Sequence, residues 1–270
     1  MELPLPAERH RRIVEQIHRH PIVRVSALAQ MLDVSEVTIR RDLEELEGRG
    51  ILERTHGGAV RSQRIGPEPS YLEAVARRSD EKRAIGRTAA ATVQPRDTVF
   101  LNGGTTTLEV FRHLDSPDVK VVTNHVGMTM ESADPVAAEL ILIGGEYRAP
   151  SNSCVGAFAT EALRRVFASR AFIGVEGLSP RSGVTTPAAP EAEIARVMIE
   201  QTQGPVTVVA DSSKVGAIAE FAIAPLERLT SLVTDSGLDP AYREELERGG
   251  LEVVVAGRVH AGAPGGAGRG

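Results

Sequence analysis

Seven short apolar runs, separated by stretches of helical periodicity, constrain this chain more than any other feature. They fall at residues 98–101, 119–123, 140–143, 171–175, 206–210, 232–234 and 251–255, and helical patterns lie between most of them, as at 81–93 and 190–202. A strand that is apolar at nearly every position is covered on both faces. Strands alternating with helices build a mainly parallel sheet. Residues 71–256 are therefore expected to form a Rossmann-like α/β domain. Aromatics make up only 3% of the chain and Trp is absent, so its core must be built from Ala, Val, Ile and Leu.

The first 60 residues follow a different pattern. Ile13, Val14 and Ile17 have helical spacing, and Val23 and Val25 suggest a short extended piece. Ser26 is a candidate N-cap for a second helix with Ala27, Leu28, Met31 and Leu32 inward. A turn at Asp33-Val34 leads to Ser35, which caps a third helix running to about Gly48. Two short strands around Gly57-Gly58 complete a winged helix-turn-helix over residues 7–60. The stretch RSQRIGPEPS, residues 61–70, has two prolines and a glycine and is expected to be a linker. Residues 257–270, mostly Gly, Ala and Pro, are expected to be a disordered tail.

The third helix carries the first functional signal. At about 100° per residue, Ile39, Leu43 and Leu46 share a buried face. Thr38, Arg40 and Arg41 are then left in the front half of the open surface, with Glu44, Glu45 and Glu47 crowding the back. Arginine pairs bidentately with guanine or phosphate, and hydroxyls contact either, so such a helix suits the major groove. Arg54 and His56, beside the Gly57-Gly58 turn, could set a wing against the DNA backbone. The same residues also fit a solvated helix pairing Arg40 with Glu44 and Arg41 with Glu45. Net charge does not decide, because residues 1–61 hold ten Arg, no Lys and ten acidic residues, within a whole-chain charge of −5. Clustering on one face would have to supply the attraction for a polyanion.

The larger domain carries the second signal. Asn102-Gly103-Gly104-Thr105-Thr106-Thr107 follows the first strand. Thr123-Asn124, Gly144-Gly145, Glu176-Gly177 and Asp211-Ser212-Ser213-Lys214 follow later ones. Ligands of open parallel sheets bind at the carboxyl ends of the strands. Glycines with free N–H groups at a helix start favour an anion. Taken alone, the first loop reads more readily as a tight strand-to-helix turn than as a phosphate cradle; it is not a P-loop. Lys214 would bring positive charge, and Glu176 or Asp211 an acceptor for hydroxyls. The only cysteine, Cys154, excludes an intrachain disulfide and a cysteine-based zinc site, and is expected to fill a helix start. No cofactor motif stands out. No apolar stretch approaches the ~18 residues of a membrane span, and no secretory signal opens the chain, so the cytoplasm is expected.

The run Val34-Ser35-Glu36-Val37-Thr38-Ile39-Arg40-Arg41-Asp42-Leu43-Glu44-Glu45-Leu46-Glu47, followed by Arg54-Thr55-His56-Gly57-Gly58-Ala59, resembles the signature of DeoR-type bacterial regulators. The resemblance continues through the sheet-end loops to about residue 255. It implies operator contacts by Ser35, Thr38, Arg40 and Arg41. It also implies a sensor related in fold to ribose-phosphate isomerases, with a phosphate of a sugar or related metabolite held by the Gly104–Thr107 loop and Lys214 at the effector site. Further implications are a homo-oligomer and, the family being mostly repressors, repression of a sugar operon. Three positions depart from the family pattern: Asn102 stands for Asp, Glu176 for the Asp of Ala-Asp-Gly, and Val215 for an aromatic. The rival expectation is an aldose–ketose isomerase using Glu176, Asp211 and Lys214, but that chemistry calls for a fuller acidic motif than Val-Glu-Gly-Leu.

Overall fold

The computed structural model describes residues 5–20, 22–49, 51–55, 57–61, 63–64, 70–131 and 138–257. His56 of the expected wing, residues 62 and 65–69 of the expected linker, and residues 258–270 of the expected tail lie outside them.

Helices α1 (Pro6–Arg19), α2 (Val25–Leu32) and α3 (Glu36–Gly48) pack with strands β1 (Ile22–Arg24), β2 (Leu52–Arg54) and β3 (Gly58–Arg61). The strands form an antiparallel sheet in the order β1-β3-β2. Ile13, Ile17, Leu28, Leu32, Ile39, Leu43, Leu46, Leu52 and Ala59 make its core, all buried. Ser35 caps α3 as expected, accepting from the Thr38 N–H at 3.2 Å. The expected Ser26 cap is not made. Helix α2 starts at Val25, and the Val25 N–H donates instead to the wing carbonyl of Gly57 at 2.9 Å, so backbone replaces a side-chain cap. Counted from Val25, the inward stripe is Val25, Leu28, Ala29 and Leu32, which leaves Ala27 and Met31 exposed rather than inward.

In the second unit, seven strands form one wholly parallel sheet, ordered β17-β16-β13-β10-β5-β6-β7. In chain order, the elements begin with β4 (Gln63–Arg64), α4 (Tyr71–Ala76), α5 (Ser79–Ala90), β5 (Thr98–Leu101), α6 (Thr105–Arg112), β6 (Val119–Thr123) and α7 (Met128–Glu131). They continue with β7 (Ala138–Leu142), β8 (Glu146–Arg148), β9 (Ser153–Val155), α8 (Ala157–Leu163), β10 (Arg170–Gly174), β11 (Gly177–Ser179), β12 (Gly183–Thr186) and α9 (Ala189–Glu200). Strands β13 (Val206–Val209), β14 (Ala217–Ile218), β15 (Phe221–Ala224) and β16 (Ser231–Thr234), helix α10 (Pro240–Arg248) and β17 (Glu252–Val255) complete the set. Successive side chains alternate between two cores. Phe100, Val122, Ile173, Val208 and Leu232 enter one; Leu101, Val121, Phe172, Val209 and Val233 enter the other. That alternation is why the runs read as continuous apolar segments.

Two expectations fail here. Cys154 lies buried in β9, paired across β8 with Tyr147, and not at a helix start; α8 begins three residues later, after Gly156. The expected linker is partly structured. Gln63 and Arg64 pair in parallel with Ala217 and Ile218, and Ser70 closes a capping box on α4 with Glu73. Its backbone groups find partners on the sensor surface, which composition could not reveal.

The hairpin β2–β3 serves both units. Leu52 and Ala59 point into the winged-helix core. Val60 is fully buried with the sensor's residues, and Glu53 lies opposite it in register. Strand alternation thus turns one face of the wing toward each core.

Candidate DNA-reading face and effector pocket

Helix α3 presents Ser35, Val37, Arg40 and Arg41 exposed on its front half, with Thr38 half-buried. The Ser35 and Thr38 hydroxyls lie 2.9 Å apart, so the two side chains form one polar corner at the helix start. Arg40 does not pair with Glu44; it reaches back to Glu36 at 2.8 Å. Arg41 makes no ion pair with a described residue. Val37, which helical spacing places off the buried face, is 72% exposed and adds an apolar surface. Such a surface suits a thymine methyl. Arg54 faces the other way. Its N–H donates to Glu47 at 3.0 Å and its guanidinium lies 3.4 Å from Glu44, bracing the wing against the acidic half of α3.

Asp42, buried on the same helix, was also missed. It takes both prongs of Arg9, at 2.7 and 2.9 Å, and His10 at 3.2 Å. This bidentate pairing raises the Arg9 pKa through the Asp42 hydrogen bond and sets the angle between α1 and α3.

A pocket of about 290 Å³ opens at the carboxyl ends of β5, β10 and β13, the centre of the sheet. Asn102, Gly103, Gly104, Thr105 and Thr106 line one side, Glu176 another, and Asp211 and Lys214 a third. Helix α6 begins at this space: Gly104 is its N-cap, with no side-chain cap, and Thr105 and Thr106 of its first turn line the pocket, the setting of an anion site. Around it stand four cations (Arg77, Arg78, Lys82, Lys214) and three carboxylates (Glu176, Glu191, Asp211). Burial lowers the Lys82 pKa, although nearby Asp211 opposes the effect. Lys82 donates to the Ala74 carbonyl, and Lys214 is ion-paired with Glu176. Arg78 reaches Asp211 at 3.2 Å and Asp235 at 3.3 Å. Asp235 is buried, which opposes ionisation. The Ser212 and Gly237 N–H groups, the Ser212 hydroxyl and Arg78 still hold its pKa below the usual carboxylate range.

Not every predicted side chain is free to meet a ligand. Asn102 spends its amide on one backbone position, donating to Gly174 O at 2.9 Å and accepting from Gly174 N at 2.8 Å. An aspartate could not make the first bond, so the Asn clips β5 to β10. Thr107 is fully buried and donates to the Asn102 and Gly104 carbonyls, fastening the turn and not lining the pocket. Gly177 sits where any Cβ would meet the Ala217 carbonyl and the Thr185 hydroxyl at 2.5 Å, a packing role. Thr123, Asn124, Gly144 and Gly145 are not among the pocket's lining residues. They end or follow β6 and β7, the two strands on the far side of β5 from β10, with β7 at the sheet edge. Conversely, Arg77, Arg78, Lys82, Thr186 and Glu191 line the pocket and were missed. Helix amphipathicity gave no hint that α5 and its lead-in turn close the sheet's carboxyl end. Among the described residues, no cluster of His, Cys, Asp and Glu is arranged to hold a metal, and no helix is long and apolar enough to cross a membrane.

A winged helix with an open arginine-bearing helix, joined to an α/β unit with a charged central pocket, defines a DNA-binding transcriptional regulator with a sensor domain. Residues 9–64 match the DeoR-like helix-turn-helix domain and residues 77–236 the DeoR C terminal sensor domain. The chain belongs to the DeoR family. It is 38% identical to the HTH-type transcriptional regulator GlpR of Haloferax volcanii, covering 93% of this chain and 98% of that one. It is 31% identical to the HTH-type transcriptional repressor GlcR of Bacillus subtilis, covering 90% and 93%. A putative aga operon transcriptional repressor of Escherichia coli O157:H7 is 32% identical over 93% and 94%. Among solved structures, ribose 5-phosphate isomerase A of Methanocaldococcus jannaschii aligns with 51% of this chain and 54% of that one, at 14% identity and a TM-score of 0.36. That likeness is too low to carry a functional assignment.

Proposed function

We propose that the chain is a cytoplasmic, homo-oligomeric repressor that binds operator DNA through residues 7–60 and is released by a phosphorylated sugar or related metabolite bound within residues 71–256. The segment 61–70 joins the two. The observation that carries this reading is the pocket: a helix N-terminus and four cations beside three carboxylates, at the centre of a parallel sheet. The cations and N–H groups suit a phosphate, and the carboxylates suit sugar hydroxyls. Ser35, Thr38, Arg40 and Arg41 contact the operator, with Arg54 bracing the wing. Two copies would set their recognition helices about 34–36 Å apart on a palindromic site.

The protein is a sensor and not an isomerase. This reading is supported by the relatives, which are transcriptional regulators and repressors matched along nearly their whole length, and by the DeoR-like helix-turn-helix domain at residues 9–64. The test is binding to the DNA upstream of its own gene, at fixed salt, with and without a panel of sugar phosphates. Specific binding relieved by one compound, and a Lys214→Ala variant that no longer responds, is expected. Specific binding indifferent to the whole panel would overturn the effector class, and conversion of an aldose phosphate to a ketose would overturn the non-enzymatic reading.

A further inference from the structure

The hairpin β11–β12 runs from the pocket to the DNA-binding unit. Its base is Glu176 on one strand and Thr186 on the other, and both line the pocket. Its tip is Ser179-Pro180-Arg181-Ser182. There the Ser179 hydroxyl donates to Glu53 at 2.5 Å and the Ser182 hydroxyl donates to the other oxygen of the same carboxylate at 2.9 Å. The Ser182 N–H in turn donates to the Ser179 hydroxyl at 2.9 Å, and Arg181 is ion-paired with Glu47 of α3. Glu53 is 8% exposed and Ser179 1% exposed. A desolvated carboxylate with two hydroxyl donors from a distant segment is a specific latch, because losing either donor leaves a buried charge short of partners.

The other arm of the pocket's ion pair leads to the same hairpin. Lys214 lies two residues before Gly216, whose N–H donates to Leu178 O of the hairpin at 2.8 Å. Strand β14 follows and pairs with β4, just beyond the wing. Ala219 N–H also donates to the Thr185 hydroxyl of β12 at 2.9 Å, and Gly177 leaves no room for a side chain against β14. The hairpin, extended by β15 into a three-stranded sheet, is thus a stiff element that spans from Glu176 beside the pocket to Glu53 of the wing. From Glu176 to Ser179 is about 10 Å at strand rise, so a tilt of about 10° carries the tip nearly 2 Å, enough to part a hydrogen bond.

We propose that β11–β12 is the element that reports pocket occupancy to the winged helix, with Glu53 as its receiver. This rests on the reading of the pocket as an effector site. A ligand that competes for Lys214 or Glu176 re-tilts the hairpin, frees Glu53 from Ser179 and Ser182, and loosens the wing that positions α3. Glu53, Ser179 and Ser182 touch neither pocket nor DNA face; they are positioning residues.

The experiment needs no effector. Amide hydrogen exchange of residues 52–61 is measured in the full chain for wild type, Glu176→Gln, the pair Ser179→Ala with Ser182→Ala, and all three together. Glu176→Gln is expected to speed exchange of the wing about fivefold in the wild-type background and by less than about twofold once the serines are gone. An unchanged wing in Glu176→Gln, or the same factor in both backgrounds, would overturn the relay. If the double serine variant does not fold, Ser182→Ala alone, which leaves Glu53 one donor, takes its place in the cycle. A parallel arm adds glucose 6-phosphate and inorganic phosphate to wild type. Absence of protection at residues 102–108 with every phosphorylated metabolite tried would overturn the sugar-phosphate reading, while the substitution cycle still decides the relay.

Discussion

His125 offers a test of how the sensor core is built. The ring is fully buried just after β6, near the Tyr71 ring at a centroid distance of 5.5 Å, and neither nitrogen has a hydrogen-bond partner among the other described residues. Burial disfavours the imidazolium and Arg112 adds repulsion, lowering the pKa from 6.5 to about 4. Between those values the unfolded chain binds a proton that the native protein refuses. Stability therefore falls as pH drops below about 6.5, and the loss levels off once the native ring titrates near 4. At about 1.36 kcal/mol per pH unit, the full span is worth about 3 kcal/mol. Phe in place of His keeps a ring and removes the titration. Urea unfolding followed by circular dichroism, on wild type and His125→Phe at several pH values from about 7 to about 4, reads the difference. The carboxylates Asp97 and Asp235, held below their ordinary range by hydrogen bonds and arginines against burial, also lose stability in acid, but equally in both proteins. Wild type should lose about 3 kcal/mol more than the variant over this interval. Parallel curves would refute the reasoning, because they would mean that the native ring takes up its proton as readily as the unfolded chain.

Three further outcomes follow from the same contacts. Arg41→Ala should weaken operator binding by about 1–3 kcal/mol without altering thermal stability, as read by fluorescence anisotropy at fixed salt; wild-type affinity would move the reading face off the front of α3. Asp42→Ala strands Arg9 in a nearly buried position and should cost about 3 kcal/mol in urea unfolding, and a loss under about 1 kcal/mol would show the pair to be incidental. Asn102→Asp sets a carboxylate oxygen against the Gly174 carbonyl and adds negative charge beside the α6 N-terminus. It should cost about 1–3 kcal/mol of stability and weaken phosphate binding in calorimetry, and retention of both would deny the Asn its clipping role.

The fold was legible where burial is periodic. Runs such as Val206–Val209 read as covered strands because both cores draw on alternate residues, and Ser35 read as a cap because its hydroxyl has only local partners to satisfy. What local pattern could not supply was strand order. Five sheet-end segments qualified equally, and only the placement of β5, β10 and β13 at the centre brings three of them to one pocket while Thr123, Asn124, Gly144 and Gly145 go to the β6–β7 side. Long-range contacts hid the rest. Lys82 and Arg78 resemble solvent-facing charges in sequence, and Glu53 resembles an ordinary polar residue of a wing strand until Ser179, 126 positions away, meets it.

Magnitudes divide the labour between the pocket and the latch. A ligand shifts a two-state protein only by its differential affinity for the two states, and a hundredfold loss of operator binding requires about 2.7 kcal/mol of coupling. The Lys214–Glu176 pair has side chains 27% and 34% exposed, so its own worth is at most about 1 kcal/mol. A phosphate can displace it cheaply, which makes it a good trigger and a poor store of coupling energy. Glu53 has the opposite character. It is desolvated, and each hydrogen bond to a charged group contributes about 1.5–3 kcal/mol. Parting one of its two donors therefore costs about as much as the coupling that the ligand's differential affinity must supply. The weak contact accordingly lies where the ligand enters, and the strong one where the DNA-binding unit docks.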